Sequence, residues 1–191
     1  MSTPWPAEDE LRARLGARFA ARTAFEWQGT TYRFASLKYS DRETFIDGIG
    51  ARKAGGRFTP IYSQRTLYLS LDRATATAEL DSWYAYYNVP DTAFQPRVLA
   101  AVAVSVGLLL DLENPDVLTA VGLTPEHVVE EWRLISDSGQ VAPTQTLGRL
   151  IYEAGFEGIR FPSARRAGGF NLALFPDNYI EGSHALMLNM G

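Results

Sequence analysis

At 191 residues the chain is long enough for one domain with a sizeable core, and a content of 46% hydrophobic against 21% charged residues excludes global disorder. A net charge of −4 supplies no overall field toward nucleic acid or an anionic membrane. With no cysteine, disulfides, thiolate nucleophiles and cysteine-ligated zinc are excluded. That usage fits a reducing cytoplasm, and the acidic start through Glu10 lacks the apolar run of a secretory signal. The expectation is a cytoplasmic protein with no membrane contact and no direct binding of nucleic acid.

Leu11, Leu15 and Phe19 recur every fourth position and predict an amphipathic helix over 7–21, with Arg12, Arg14, Arg18 and Arg22 on its solvated face. Thr30 to Ala35, β-branched and aromatic around Arg33, predicts a strand. Ser40-Asp41-Arg42-Glu43 has capping-box spacing before a short helix through Phe45 and Ile46 that ends in Gly48 and Gly50. Thr66 to Leu71 alternates as a strand, and Asp72 can cap a helix from Arg73 to about Tyr87. Val98 to Val106 predicts a central strand, within an apolar run too short to cross a bilayer. Asn114-Pro115 and Thr124-Pro125 each set a capping side chain before a proline suited to the first helical position. Two short helices follow, the second running to about Leu134. Thr144 or Thr146 opens another helix that stops at Gly155. Glu157 to Phe161, Asn171 to Phe175 and His184 to Asn189 close the chain as strands. Strands and helices mix without regular alternation, so the pattern predicts α+β or mixed α/β in one domain over 1–191, with no repeat and no linker.

Chemistry concentrates in Gly55-Gly56-Arg57-Phe58-Thr59-Pro60, in the strand that follows, and in the helix carrying Glu79. Glycine lets a backbone approach a ligand, and a neighbouring arginine can grip phosphate through two nitrogens. The plain alternative is a glycine turn, a surface arginine and a solvated glutamate. Arg33 sits mid-strand beside Tyr32, where a charge must reach water or an anionic partner. Tyr62 and Tyr68 can stack on a base, although core packing is the commoner use of tyrosine. Glu79 has Ala76, Ala78 and Leu80 around it, a setting in which a carboxylate needs hydrogen-bond partners. Ser163 stands in a loop bracketed by Arg160, Arg165 and Arg166, as a phosphate contact or as a turn serine. His127, in a predicted surface helix, and His184, in a late strand, have no metal-ligand spacing, and neither lies near a nucleophile elbow. Gly48-Ile49-Gly50 lacks the βαβ context of a dinucleotide fingerprint.

Tyr32-Arg33, Gly50-Ala51 leading to Gly55-Gly56-Arg57-Phe58, Leu67-Tyr68-Leu69-Ser70, Ala78-Glu79-Leu80 and Phe161-Pro162-Ser163 together resemble the RES-domain family, which is named for an Arg, a Glu and a Ser. The resemblance covers roughly residues 30–180 and leaves residues 1–25 as an N-terminal helical extension, with assembly as its expected use. It implies an α+β fold with an ADP-ribosyltransferase-like mixed sheet core and surrounding helices. It also implies a toxin enzyme of a toxin–antitoxin pair that degrades NAD+ by cleaving the nicotinamide–ribose bond, by phosphorolysis or hydrolysis. On it Arg33, Glu79 and Ser163 are the catalytic residues, and Arg57, Tyr62, Tyr68 and Asn171 contact NAD+. No metal is implied, and no cofactor beyond NAD+ as substrate, with inorganic phosphate as a candidate co-substrate. The implied partner is a cognate antitoxin encoded next door, with a homo-oligomer left open. Phe58 and Thr59 depart from the commoner Trp-Asn: phenylalanine keeps an aromatic wall without the indole donor, and threonine lacks the amide. Two other readings stand beside this one, an ADP-ribosyltransferase acting on a macromolecule and an idle partner-binding domain. Retention of Arg33, Arg57, Glu79 and Ser163 together argues against the idle domain.

Overall fold

Two long strands set the architecture. β1 (Phe25–Ser36) and β3 (Arg97–Asp111) run antiparallel from Phe25 opposite Leu109 to Ser36 opposite Arg97. Both exceed their predicted spans, because the ladder carries the polar and glycine-containing ends that side-chain pattern alone does not mark as strand. The computed structural model describes residues 3–39, 41–90, 93, 94 and 96–188, without the side chains of 17, 18 and 21. β2 (Leu67–Ser70), β5 (Phe170–Leu174) and β4 (Gly158–Pro162) continue from β1 back to β3, so the sheet closes on itself in the order β1-β2-β5-β4-β3. β6 (His184–Met187) adds to the other edge of β3, and among the described residues only β3 and β4 pair in parallel. Closure leaves few free strand edges. The fold is mixed α+β.

Alternation along the strands sends side chains into two cores. Val102, Val104, Val106, Leu172 and Leu174 fill one with Phe45, Leu67 and Leu69, while Ile159, Phe161, Ala173 and Phe175 face the other. α1 (Glu8–Arg14) and the turn after it pack on that second core through Leu11 and Leu15, and α2 (Ala17–Thr23) through Phe19 and Ala20, so the N-terminal extension is part of the chain's own interior. The single helix expected there is split at Gly16, whose extended backbone (ψ 170°) ends one helix and starts the next. Arg12 is paired with Glu8 and Glu153, and Arg14 donates to the Val121 carbonyl, so those two are tied down as well as exposed.

α3 (Arg42–Ile46) is capped by Asp41, whose side chain accepts from Thr44 N at 2.9 Å; the expected cap, Ser40, lies outside the described residues. α3 ends just before Gly48, whose φ is +72°, but α4 (Ile49–Ala54) starts from that same glycine, so Gly50 lies inside a second helix rather than ending the first. α5 (Arg73–Tyr86) begins at its predicted cap, Asp72. α6 (Pro115–Val121) and α7 (Pro125–Val129) start at their prolines. The second helix stops well before Leu134, since Glu130 turns extended and α8 (Arg133–Asp137) forms separately. His127, expected on the surface, is buried against Trp5 and accepts from Thr124 N to complete the α7 cap. α9 (Pro143–Glu153) presses Leu147, Leu150 and Ile151 into the core. Among the described residues no helix is long and apolar enough to cross a membrane.

Candidate active site

The Gly55–Pro60 segment is a tight turn closed by Gly56 N to Thr59 O (2.9 Å) and Thr59 N to Gly56 O (3.1 Å). Gly55 adopts φ +78°, a conformation that favours glycine. Gly56 is needed for a different reason: a Cβ there would stand 2.6 Å from the Tyr68 ring. The tyrosine hydroxyl accepts from Phe58 N at 2.8 Å and lies 2.9 Å from Thr59 Oγ1, which also donates to Thr66 at 2.8 Å. Burial pushes the Tyr68 hydroxyl up to about 12, so it stays protonated at neutral pH. Thr59, the departure from the commoner asparagine, is therefore a buried brace for Tyr68. Phe58 corrects a second expectation. It is fully buried edge-on to Phe161, 4.8 Å between ring centroids, and forms core rather than a wall of the cleft.

Arg57 is buried, 9% exposed, and its Nη1 donates to the carbonyls of Val128 (3.1 Å) and Glu130 (2.6 Å). It was expected as a free fork for phosphate, but one of its terminal nitrogens tethers the α7–α8 connection. Burial pushes its pKa down while the carboxylates of Glu79 and Glu131 push it back up. Arg33 donates to the Phe45 carbonyl and stacks over the Phe45 ring at 5.2 Å. Burial lowers its pKa too, opposed by Asp47.

Glu79 is the hub. Nearly two helical turns beyond the start of α5, its Oε1 accepts from Ser163 Oγ at 2.7 Å and from Asn171 Nδ2 at 2.9 Å. Asn171 is oriented in turn by Ser70, whose hydroxyl donates to its Oδ1 at 2.7 Å. Ser163 is fixed by Arg165 N and Arg166 N, which donate to its Oγ at 3.1 and 3.2 Å. Those backbone donors are thus engaged internally. Arg165 pairs with Glu131, Arg166 with Asp72, and Arg160 with Asp111 and Glu113. Among the described residues no donor reaches Glu79 Oε2, which leaves that oxygen for a ligand.

Glu79 opens on a cleft of about 340 Å³ lined also by Arg33, Arg57, Tyr68 and Asn171. Tyr62 is not brought there: it is 80% exposed on the far side of the turn, with φ +63°. The cleft holds residues that sequence reasoning missed, namely Trp83, Tyr87, Arg97, Trp132 and Arg133. Trp83 was legible as four residues past Glu79 on one helix face, whereas Trp132 and Arg133 follow a helix break that no residue type announces. Four arginines and one carboxylate line the space, so its local field is opposite in sign to the whole chain. Among the described residues no group of His, Asp and Glu could hold a metal ion.

The chain is similar to known proteins in sequence and in fold. The sequence is 26% identical over 166 residues to the NAD(+) phosphorylase MbcT of Mycobacterium tuberculosis and to that of Mycobacterium bovis, covering 84% of this chain and 81% of each relative. The solved structure of the M. tuberculosis MbcT–MbcA toxin–antitoxin complex has a chain of the same fold, with a TM-score of 0.69 at 21% identity over 96% of this chain and 92% of that one. The profile of the RES domain matches residues 30–185, the span that carries Arg33, Glu79 and Ser163, and the chain belongs to that family.

Proposed function

We propose that the protein is an NAD+-degrading toxin enzyme that transfers the ADP-ribosyl group of NAD+ to inorganic phosphate and releases nicotinamide. The observation that carries this is Glu79, held by Ser163 and Asn171 with a free oxygen facing an arginine-lined cleft. The closed mixed sheet is then read as an ADP-ribosyltransferase-like core, and relatives named NAD(+) phosphorylase support the choice of phosphate as acceptor.

Nicotinamide leaves as a neutral amine with the electron pair of the C–N bond, so the chemistry needs little proton transfer. Positive charge develops on the ribose carbon and its ring oxygen, as in glycoside cleavage, and a phosphate oxygen forms the new C–O bond. Glu79 accepts a hydrogen bond from a ribose hydroxyl and favours that charge, an electrostatic contribution that is commonly the largest in such sites. Ser163 and Asn171 hold the carboxylate in place through its Oε1. Tyr68, locked on the Gly-Arg turn, packs beside the nicotinamide ribose. Arg33 and Arg57 bias the cleft toward an anionic dinucleotide, and Arg57 lies close enough to Glu79 for their charges to interact.

An enzyme that consumes NAD+ needs restraint in the cell that makes it. A cognate antitoxin that covers the cleft fits this need, and a relative's fold is known in complex with one. Expression of this chain alone is expected to halt growth and lower cellular NAD+, with rescue of both by the neighbouring gene. Growth arrest at unchanged NAD+ would point to ADP-ribosylation of a macromolecule, and healthy cells making abundant protein would overturn the reading.

A further inference from the structure

The cleft runs on past its carboxylate. Trp83 lies one turn beyond Glu79 on the same face of α5 and Tyr87 one turn beyond that, about 6 and 12 Å along the axis at the helical rise. Both rings line the cleft and stay accessible, at 39% and 46% exposure. Trp83 is held in place: Tyr87 and Tyr84 lie 5.0 and 5.4 Å from it, and Arg97 sits 5.1 Å over its ring while donating to the Tyr84 hydroxyl.

The segment between α7 and α8 brings Trp132 and Arg133 into the same cleft. It is pinned from three sides. Arg57 holds the Val128 and Glu130 carbonyls, Trp5 Nε1 donates to Glu130 at 2.6 Å, and Glu131 accepts from Arg165 and from Arg133 N. Arg133 is 7% exposed, with its guanidinium 5.4 Å over both the Tyr86 and Trp132 rings. Its Nη1 has no hydrogen-bond partner, and the nearest carboxylate oxygen, on Glu131, stands off at 3.9 Å. A buried guanidinium nitrogen without an acceptor is unfavourable, and an anion entering the cleft relieves it.

We propose that this half of the cleft is a nucleobase-and-phosphate subsite, in which Arg133 takes a pyrophosphate oxygen and the Trp83, Tyr87 and Trp132 rings stack the adenine. It rests on NAD+ as the substrate and names the residues that sense its far end, so that the enzyme prefers a dinucleotide to a mononucleotide. Stacking suits the base because every nucleobase has a π-face, and a guanidinium flanked by rings is already desolvated for a phosphate.

ADP, which carries adenine and a diphosphate but no scissile bond, is the probe. Calorimetry of ADP on wild type, Trp83→Ala and Arg133→Met is run beside nicotinamide release from NAD+. ADP is expected to bind wild type and to bind Trp83→Ala at least about tenfold more weakly, the scale of one lost base stack. The same variant is expected to raise KM for NAD+ with little change in kcat. Arg133→Met replaces an unpartnered charge by an apolar chain and is expected to weaken ADP similarly; if it does not fold, the partly exposed Trp83 decides. No ADP binding by wild type, or unchanged affinity in Trp83→Ala, overturns the subsite. ADP bound without nicotinamide release overturns the proposed reaction instead, so the two failures are distinguishable.

Discussion

Glu79 shows how much a single side chain here depends on its holders. The hydrogen bonds from Ser163, just past β4, and Asn171, at the start of β5, converge on one oxygen of a side chain that lines the cleft. Glu79→Gln keeps the size and removes the charge. We expect it to lower the rate of nicotinamide release by about a hundredfold or more, a loss near 3 kcal/mol, with an unchanged unfolding curve. Gly56→Ala acts on the same site from the other side. The added methyl meets the Tyr68 ring at 2.6 Å, and Tyr68 cannot step aside without releasing its bonds to Phe58 N and Thr59. Overpacking of this kind costs roughly 1–3 kcal/mol, to be read as a lower denaturation midpoint in urea together with reduced turnover. Arg57→Lys keeps the charge but cannot hold two carbonyls with one planar nitrogen in the same geometry. A higher KM for NAD+ is expected, through the displaced Trp132 and Arg133; NAD+ affinity unchanged in both Arg57→Lys and Arg57→Ala would remove this segment from the site.

Elements with local signals were legible, and those set by distant contacts were not. Asp72, Asn114 and Thr124 announce the starts of α5, α6 and α7 because a capping side chain acts within its own turn. α4 was hidden because its start, Gly48, reads as a stop, and the helix packs on β2, later in the chain. The split between α7 and α8 was hidden for a similar reason: Glu130 is held extended by Arg57 and Trp5, residues far away in sequence. The N-terminal extension braces the cleft's own wall through Trp5 and supplies core through Leu11 and Leu15. Leu15→Ala should therefore cost roughly 2–5 kcal/mol of stability, measured by chemical unfolding, as for a core leucine elsewhere. A variant as stable as wild type would mean that the extension docks without contributing.

For the molecule as a whole, the mixed α+β class and the Gly-Arg turn could be read from sequence pattern, whereas Arg33, Glu79 and Ser163 were named together only through the resemblance to the RES-domain family. The other half of the cleft could not, since Arg97, Trp132 and Arg133 come together only through the closed sheet and a helix break. Several carboxylates tie the elements together. Arg149 and Arg12 hold Glu8 below the usual carboxylate range, and Arg65 does the same for Asp177. A carboxylate depressed in the folded state contributes its stabilisation in full above its unfolded value, near pH 4, and loses it as pH falls through the depressed one. The thermal midpoint is accordingly expected to hold from pH 7 to about 5 and to fall below about 4, with a smaller fall in Glu8→Gln. The reaction itself is decided by incubating the pure protein with NAD+, in buffers with and without inorganic phosphate, and identifying the products by mass. Nicotinamide and a phosphorylated ADP-ribose should form only with phosphate present, and should vanish in folded Glu79→Gln. Intact NAD+ in both buffers, or the same products at the wild-type rate from Glu79→Gln, would contradict the role given to this cleft.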